Sequence, residues 1–273
     1  MIHILAALLV GVLLCTAGSQ SQASVSRPHQ HDSPADAARR TPYVHRPVQL
    51  ADADILPVAA SQELSILYFL GIARGHLLAS MELAKSGDLD QSVLHSRHAL
   101  DEAWSELAQL LSTNDSQALR PKLEAVNESI ALKSPTGEII AAHEEAKSFI
   151  DKLTVTTYAT GHARTRQTLD LVLLMLKQAL AEYEEAWDNL QLKDRMEYQD
   201  GFGFVAVANN ELQGILPQLR AINSQAAAEI DKTVERLTRA WPSPQPPERA
   251  IMTKPVLRAL VTAVEINARQ FPR

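Results

Sequence analysis

Two stretches of this chain are apolar on nearly every helical face, which fixes where they can sit. Residues 61–85 read SQELSILYFLGIARGHLLASMELAK, and residues 164–190 carry the run LDLVLLMLKQAL. A helix with no wide polar arc has to lie at the centre of a bundle, covered by other helices. Ser61 is a plausible cap for the first, and Gly87 with Asp88 ends it and restarts the chain. Amphipathic patterns then predict helices near 89–111, 117–132, 136–153, 193–222, 226–241 and 254–269, with Ser134, Pro135, Gly137 and the prolines at 242, 244, 246 and 247 as breaks. No stretch reads convincingly as a strand. With only 10 glycines, 5% aromatics and 46% hydrophobic residues, the composition agrees with an all-α bundle of about eight helices. The two most apolar helices fall in opposite halves, each followed by a more polar partner, as two facing helical halves would require.

The amino terminus predicts export. Residues 4–14 form an apolar run broken only by Gly11, and small residues follow at Ala17, Gly18, Ser19 and Ala23. A core that short, followed by small residues, reads as a signal peptide (1–23) cut after Ala17 or Ala23. Cys15 follows Leu13 and Leu14 rather than a small residue, so ordinary cleavage is favoured over lipid attachment and the cysteine leaves with the signal. The mature chain then has no thiol, which excludes disulfides, thiolate metal sites and cysteine nucleophiles and suits a periplasm. Residues 24–57 contain five prolines among Gln, Ser, Asp and Ala, and predict a flexible leader carrying His29, His31 and His45. Residues 58–273 are expected to form one helical-bundle domain, with no membrane span in the mature chain.

A formal charge of -6 with no basic block gives nothing for nucleic acid to bind. Phosphate loops, Gly-x-Ser-x-Gly elbows and His-Glu-x-x-His are also missing, so no enzyme is expected.

The residues that could carry chemistry fall in two segments. In GHLLASMELAKSGDLDQSVLHSRHALDEAW, the spacing of His95, His98 and Glu102 makes one helical stripe able to present two imidazoles and a carboxylate to one ion. The same wheel puts that stripe opposite Val93, Leu100 and Trp104, where a solvated polar face is the simpler account. His76, on a helix apolar all round, is either a hydrogen-bonded core histidine or a ligand lining a cavity. In AEYEEAWDNLQLKDRMEYQDGFGFVAVA, Glu197 and Asp200 share a helix face, and Gly201 and Gly203 interrupt a helical pattern at a cost of about 1 kcal/mol each relative to Ala. They either line an ion site or let two helices pack closely while the acids cap or solvate the helix start.

The stretches GHLLASMELAKSGDLDQSVLHSRHALDEAW and EYEEAW…MEYQDGFGF resemble bacterial periplasmic helical proteins related to the exported amino-terminal region of high-affinity iron permeases, and more distantly the imelysin-type proteins. The elements that carry the likeness are Gly75, His76, Leu77 and Glu197, Tyr198, Asp200, within a loose similarity over residues 61–210. The Arg-Glu-x-x-Glu iron motif of the permease is absent: Glu182 and Glu185 give the acids, but Ala181 stands in place of arginine. The resemblance therefore implies iron and a membrane iron-uptake component as partner, without transport by this chain alone. Residues and resemblance together predict a periplasmic protein that binds or buffers a transition metal, iron foremost, through His76, His95, His98, Glu102, Glu197 and Asp200. A metal-free binding or scaffolding module is the alternative.

Overall fold

The computed structural model describes Ile55 and residues 60–272. The signal segment, Cys15 and the leader histidines lie outside the described residues. Helix α1 (Gln62–Lys85) starts where Ser61 accepts a hydrogen bond from the Leu64 amide at 3.3 Å. Gly87 takes a φ of 86°, a left-handed conformation that glycine adopts without strain, and the Asp88 carboxylate then caps the next helix at the Gln91 amide. That helix, α2, runs as Leu89–His98, continues through a π-helical turn, Ala99–Trp104, and closes as Ser105–Leu110. The chain continues through α3 (Thr113–Ala131), α4 (Thr136–Thr157), α5 (His162–Ala186), α6 (Arg195–Ile222), α7 (Ser224–Thr238) and α8 (Lys254–Ala268). The eight helices among the described residues match the all-α expectation.

Two expectations are corrected here. The second apolar helix does not reach residue 190; it stops at Ala186, and Trp187–Asp188 pairs antiparallel with Gln191–Leu192 in a two-residue hairpin. Asn189 supplies the positive φ of 55° that so tight a turn requires. Helix α1 is also long and apolar enough to cross a membrane by length and composition, contrary to the expected absence of such a segment. In the structure 61% of its most apolar window is buried inside the bundle, because it is the central helix that the other elements cover.

The packing separates into two groups of four. In the first, α1 packs on α2 and α4, and α3 closes the ring between them; in the second, α5, α6, α7 and α8 pack each on the next, with α8 returning to α5. The groups meet where α1 lies against α5 and, more extensively, α6. At that seam the two backbones nearly touch. A β-carbon on Gly203 would run into the Gly75 carbonyl, 2.6 Å from its carbon, and a β-carbon on Gly75 would enter the Phe204 ring. Gly201 is likewise covered by the Trp241 indole, whose Nε1 would lie 2.8 Å from an added β-carbon. These glycines therefore serve close packing.

Candidate metal centre

The glycine crossing sets the positions of the chemical groups. On α1, His76 follows the contact residue Gly75; on α6, Asp200 lies one turn before Gly203 and on the same side. Bringing the two backbones together thus places the imidazole against the carboxylate, with His76 Nδ1 and Asp200 Oδ1 2.7 Å apart. Helix α2 contributes the rest. His95 Nδ1 lies 2.8 Å from the same Asp200 oxygen, and His98 Nδ1 lies 3.3 Å from Oδ2.

Three imidazoles from two helices therefore converge on one carboxylate from a third. His76, His95, His98 and Asp200 each present one ligand-type atom, and these four atoms lie within 4.8 Å of one another. All four residues are buried, at 5% exposure or less. The far nitrogens of two rings are held by acceptors: His76 Nε2 lies 3.0 Å from Glu102 Oε2, and His95 Nε2 lies 2.9 Å from Gln199 Oε1. An imidazole that donates Nε2–H outward offers its Nδ1 lone pair inward, the arrangement that fixes tautomer and ring orientation around a bound metal. The Phe204 ring packs edge-on to His76 at 5.1 Å and closes the apolar side.

Electrostatics couples these groups tightly. Burial alone lowers the His76 pKa, but the carboxylates of Asp200 and Glu102 outweigh it and lift it to about 10. His98 is raised too, against its burial, chiefly by Asp200. Burial acts to raise the Asp200 pKa, and the three histidines together hold it well below the usual carboxylate range. An ion entering the cluster competes with protons on these rings, because a ligating imidazole must be neutral.

The structure brings together four of the six sequence-derived candidates, places a fifth at the rim and leaves the sixth elsewhere. Glu102 reaches His76 and, at 3.6 Å, His98 Nδ1, with its side chain 21% exposed. Glu197 lies in the first turn of α6 and shares a hydrogen bond with Glu182 of α5. Its pKa is raised by burial and by neighbouring acids. Glu82 stands apart from the cluster and pairs with Lys85 at 2.8 Å.

The solvated-stripe reading of α2 is overturned, since His95 and His98 are buried while Val93, Leu100 and Trp104 are only partly so. The buried face follows the small residues Ser92, Ser96, Ala99 and Ala103, which let α2 approach α1 closely. Gln199 was not anticipated; it occupies the unspecified position of the Glu-Tyr-x-Asp element and had no signal of its own. Its amide Nε2 is buried and has no hydrogen-bond partner among the described residues.

Other polar features lie away from the cluster. His143 bonds to the Ile139 carbonyl and to Ser80, and burial lowers its pKa. Further along α6, Glu211 pairs with Arg74 and Tyr158 on the wall of an open cleft of about 760 Å³.

Comparison with known proteins yields no match among curated proteins or solved structures. One family is matched, over residues 159–271. That stretch holds α5 to α8, the second group of four, and includes Glu197, Tyr198 and Asp200 of the quoted motifs but not Gly75, His76 or Leu77. Over those four helices the chain is similar to the iron permease-associated 4-helix bundle domain, which supports its relation to the helical region of iron permeases.

Proposed function

We propose that this chain is an exported accessory of iron uptake that binds one transition-metal ion, iron foremost, and catalyses no reaction itself. The ion is held by His76 Nδ1, His95 Nδ1, His98 Nδ1 and Asp200, with Glu102 and Gln199 bonded to the outer ring nitrogens. A membrane iron-uptake component is the partner implied by the family match, and the periplasm is the compartment implied by the signal-type amino terminus.

The observation that carries this reading is the convergence of three buried imidazoles and one carboxylate, one ligand-type atom of each lying within 4.8 Å of the others, with each histidine's Nδ1 facing Asp200. Imidazole nitrogens with one carboxylate suit iron, zinc and copper ions far better than magnesium or calcium, which prefer all-oxygen shells. The test is anaerobic calorimetric titration of Fe(II), with Zn(II) and Co(II) in parallel, into the intact protein and into Asp200→Asn and His95→Gln. One ion per chain is expected for the wild type, with binding lost in both variants. At a hundred times its dissociation constant the ion should add about 2.7 kcal/mol of stability. Failure of the wild type to bind, or equal binding by wild type and variants, refutes the metal site. The cluster is then a buried polar network, and the chain a metal-free binding or scaffolding module.

A further inference from the structure

We infer that Glu102 is the exchange ligand of this centre, the group that meets an ion arriving from water and hands it to Asp200. The inference rests on the metal-binding reading above. It starts from exposure: the side chains of His76, His95, His98 and Asp200 are 0–7% exposed, and that of Glu102 is 21% exposed. A divalent ion cannot cross into so dry a cluster without replacing its lost waters one by one, because the desolvation cost of a bare charge is large. A carboxylate that touches both water and the cluster lowers that barrier.

The contacts of Glu102 fit this role. Oε2 faces His76 Nε2 at 3.0 Å and is anchored by it, whereas Oε1 faces His98 Nδ1 at 3.6 Å. His98 Nδ1 is also 3.3 Å from Asp200 Oδ2, so this one nitrogen lies within reach of both carboxylates. An ion first bound between Glu102 Oε1 and His98 Nδ1 keeps its nitrogen ligand while Asp200 replaces Glu102. It then gains His76 Nδ1 and His95 Nδ1. No step leaves it without protein donors.

The backbone places Glu102 there. It lies inside the π-helical turn Ala99–Trp104, one residue wider than an α-turn, directly after His98. The wider turn brings Glu102 to the mouth of the cluster while His98 points inward. Ser105 accommodates the altered ladder by donating its hydroxyl to the Asp101 and Glu102 carbonyls at 2.8 and 3.1 Å.

Glu102→Gln isolates the effect, because the amide oxygen still accepts from His76 Nε2–H while its nitrogen cannot ligate. Stopped-flow mixing of Co(II) with the intact protein, followed by the visible absorption of the bound ion, gives the association rate; chelator chase gives dissociation. In Glu102→Gln the association rate should fall about ten-fold, the low end of what a guiding charge contributes, and dissociation should slow rather than quicken. Glu102→Asp, with its carboxylate retained, should recover part of the association rate. Unchanged association in Glu102→Gln overturns the inference. So does a loss of affinity carried wholly by faster dissociation, which makes Glu102 a resident ligand. If wild-type protein does not take up Co(II), Fe(II) or Zn(II), the metal site itself fails and this inference falls with it.

Discussion

Replacing Gly203 with alanine tests the crossing that assembles the centre. The new β-carbon would lie 2.6 Å from the Gly75 carbonyl carbon and 3.0 Å from its Cα, where ordinary contact begins at 3.4 Å. These neighbours are backbone, and the Gly75 carbonyl oxygen is closer still, so no side-chain rotation relieves the clash and α1 has to retreat from α6 by more than about 0.8 Å to restore contact at 3.4 Å. Forcing a methyl into a packed interface costs about 1–3 kcal/mol. Alanine returns about 1 kcal/mol through its helix propensity. The net expectation is a loss of up to about 2 kcal/mol, against a gain for a glycine with open space around it.

Gly214 is the internal control, being on the same helix with no atom within 4 Å of an added β-carbon. Gly214→Ala should stabilise by about 0.5–1 kcal/mol. Urea unfolding of the two variants at one pH measures the contrast, using equal slopes to establish that the unfolded states are comparable. The retreat of α1 should also lengthen the 2.7 Å contact between His76 and Asp200, and so weaken ion binding in Gly203→Ala alone. If Gly203→Ala is as stable as Gly214→Ala, the close approach of α1 and α6 is wrong, and with it the positioning argument for the centre.

Further outcomes are expected. The His76 pKa is raised, so the stability gained from its ion pairs is complete below about 6.5 and fades as pH rises through about 10; thermal melts of metal-free protein between pH 6 and 10.5 should show this decline. Asp200 is depressed, so its contribution is present above its unfolded value of 3.8 and is lost as pH falls below that. Because the ion displaces a proton from His76, apparent Fe(II) affinity should climb from pH 6 to pH 9, and titrations in buffers of different ionisation enthalpy should register proton release. Asp200→Asn removes the carboxylate that three buried histidines face, and should cost about 3 kcal/mol in urea unfolding, the low end for breaking a buried ion pair. Finally, mass spectrometry of exported protein should find the chain beginning at Gly18 or Ser24 and lacking Cys15; Cys15 retained with attached lipid would refute the soluble periplasmic placement.

Much of the helical layout was legible because its punctuation is local. Ser61, Gly87 and Asp88 act within one turn of themselves, and the structure uses all three as caps or stops. The end of α5 was misread because Leu190 continues the apolar pattern, whereas Asn189 and the backbone pairing beside it turn the chain earlier. The candidate residues were found by type and spacing, but their environment on α2 was inverted. Size, rather than polarity, marks its inner face: Ser92, Ser96, Ala99 and Ala103 are the residues two helices can close upon. Histidines on that face are tolerable only because Asp200 meets them from α6, and a pairing across 105 residues leaves no trace in local periodicity. The π-turn was equally hidden, since a helical wheel assumes one constant step per residue.

The centre straddles the seam between the two four-helix groups, and His76 and Asp200 are 124 residues apart in the chain. A chain emerging amino-terminus first displays its three histidines on α1 and α2 long before α6 exists. At that stage the rings have Glu102 at the rim but not the buried Asp200 carboxylate that all three face, and the loop that must close to provide it is among the longest in the fold. The complete donor set therefore appears only once both groups have docked. Capture of an ion would then mark the last step of folding, and the ion would act as a clasp between the halves, making its loss and their separation coupled events.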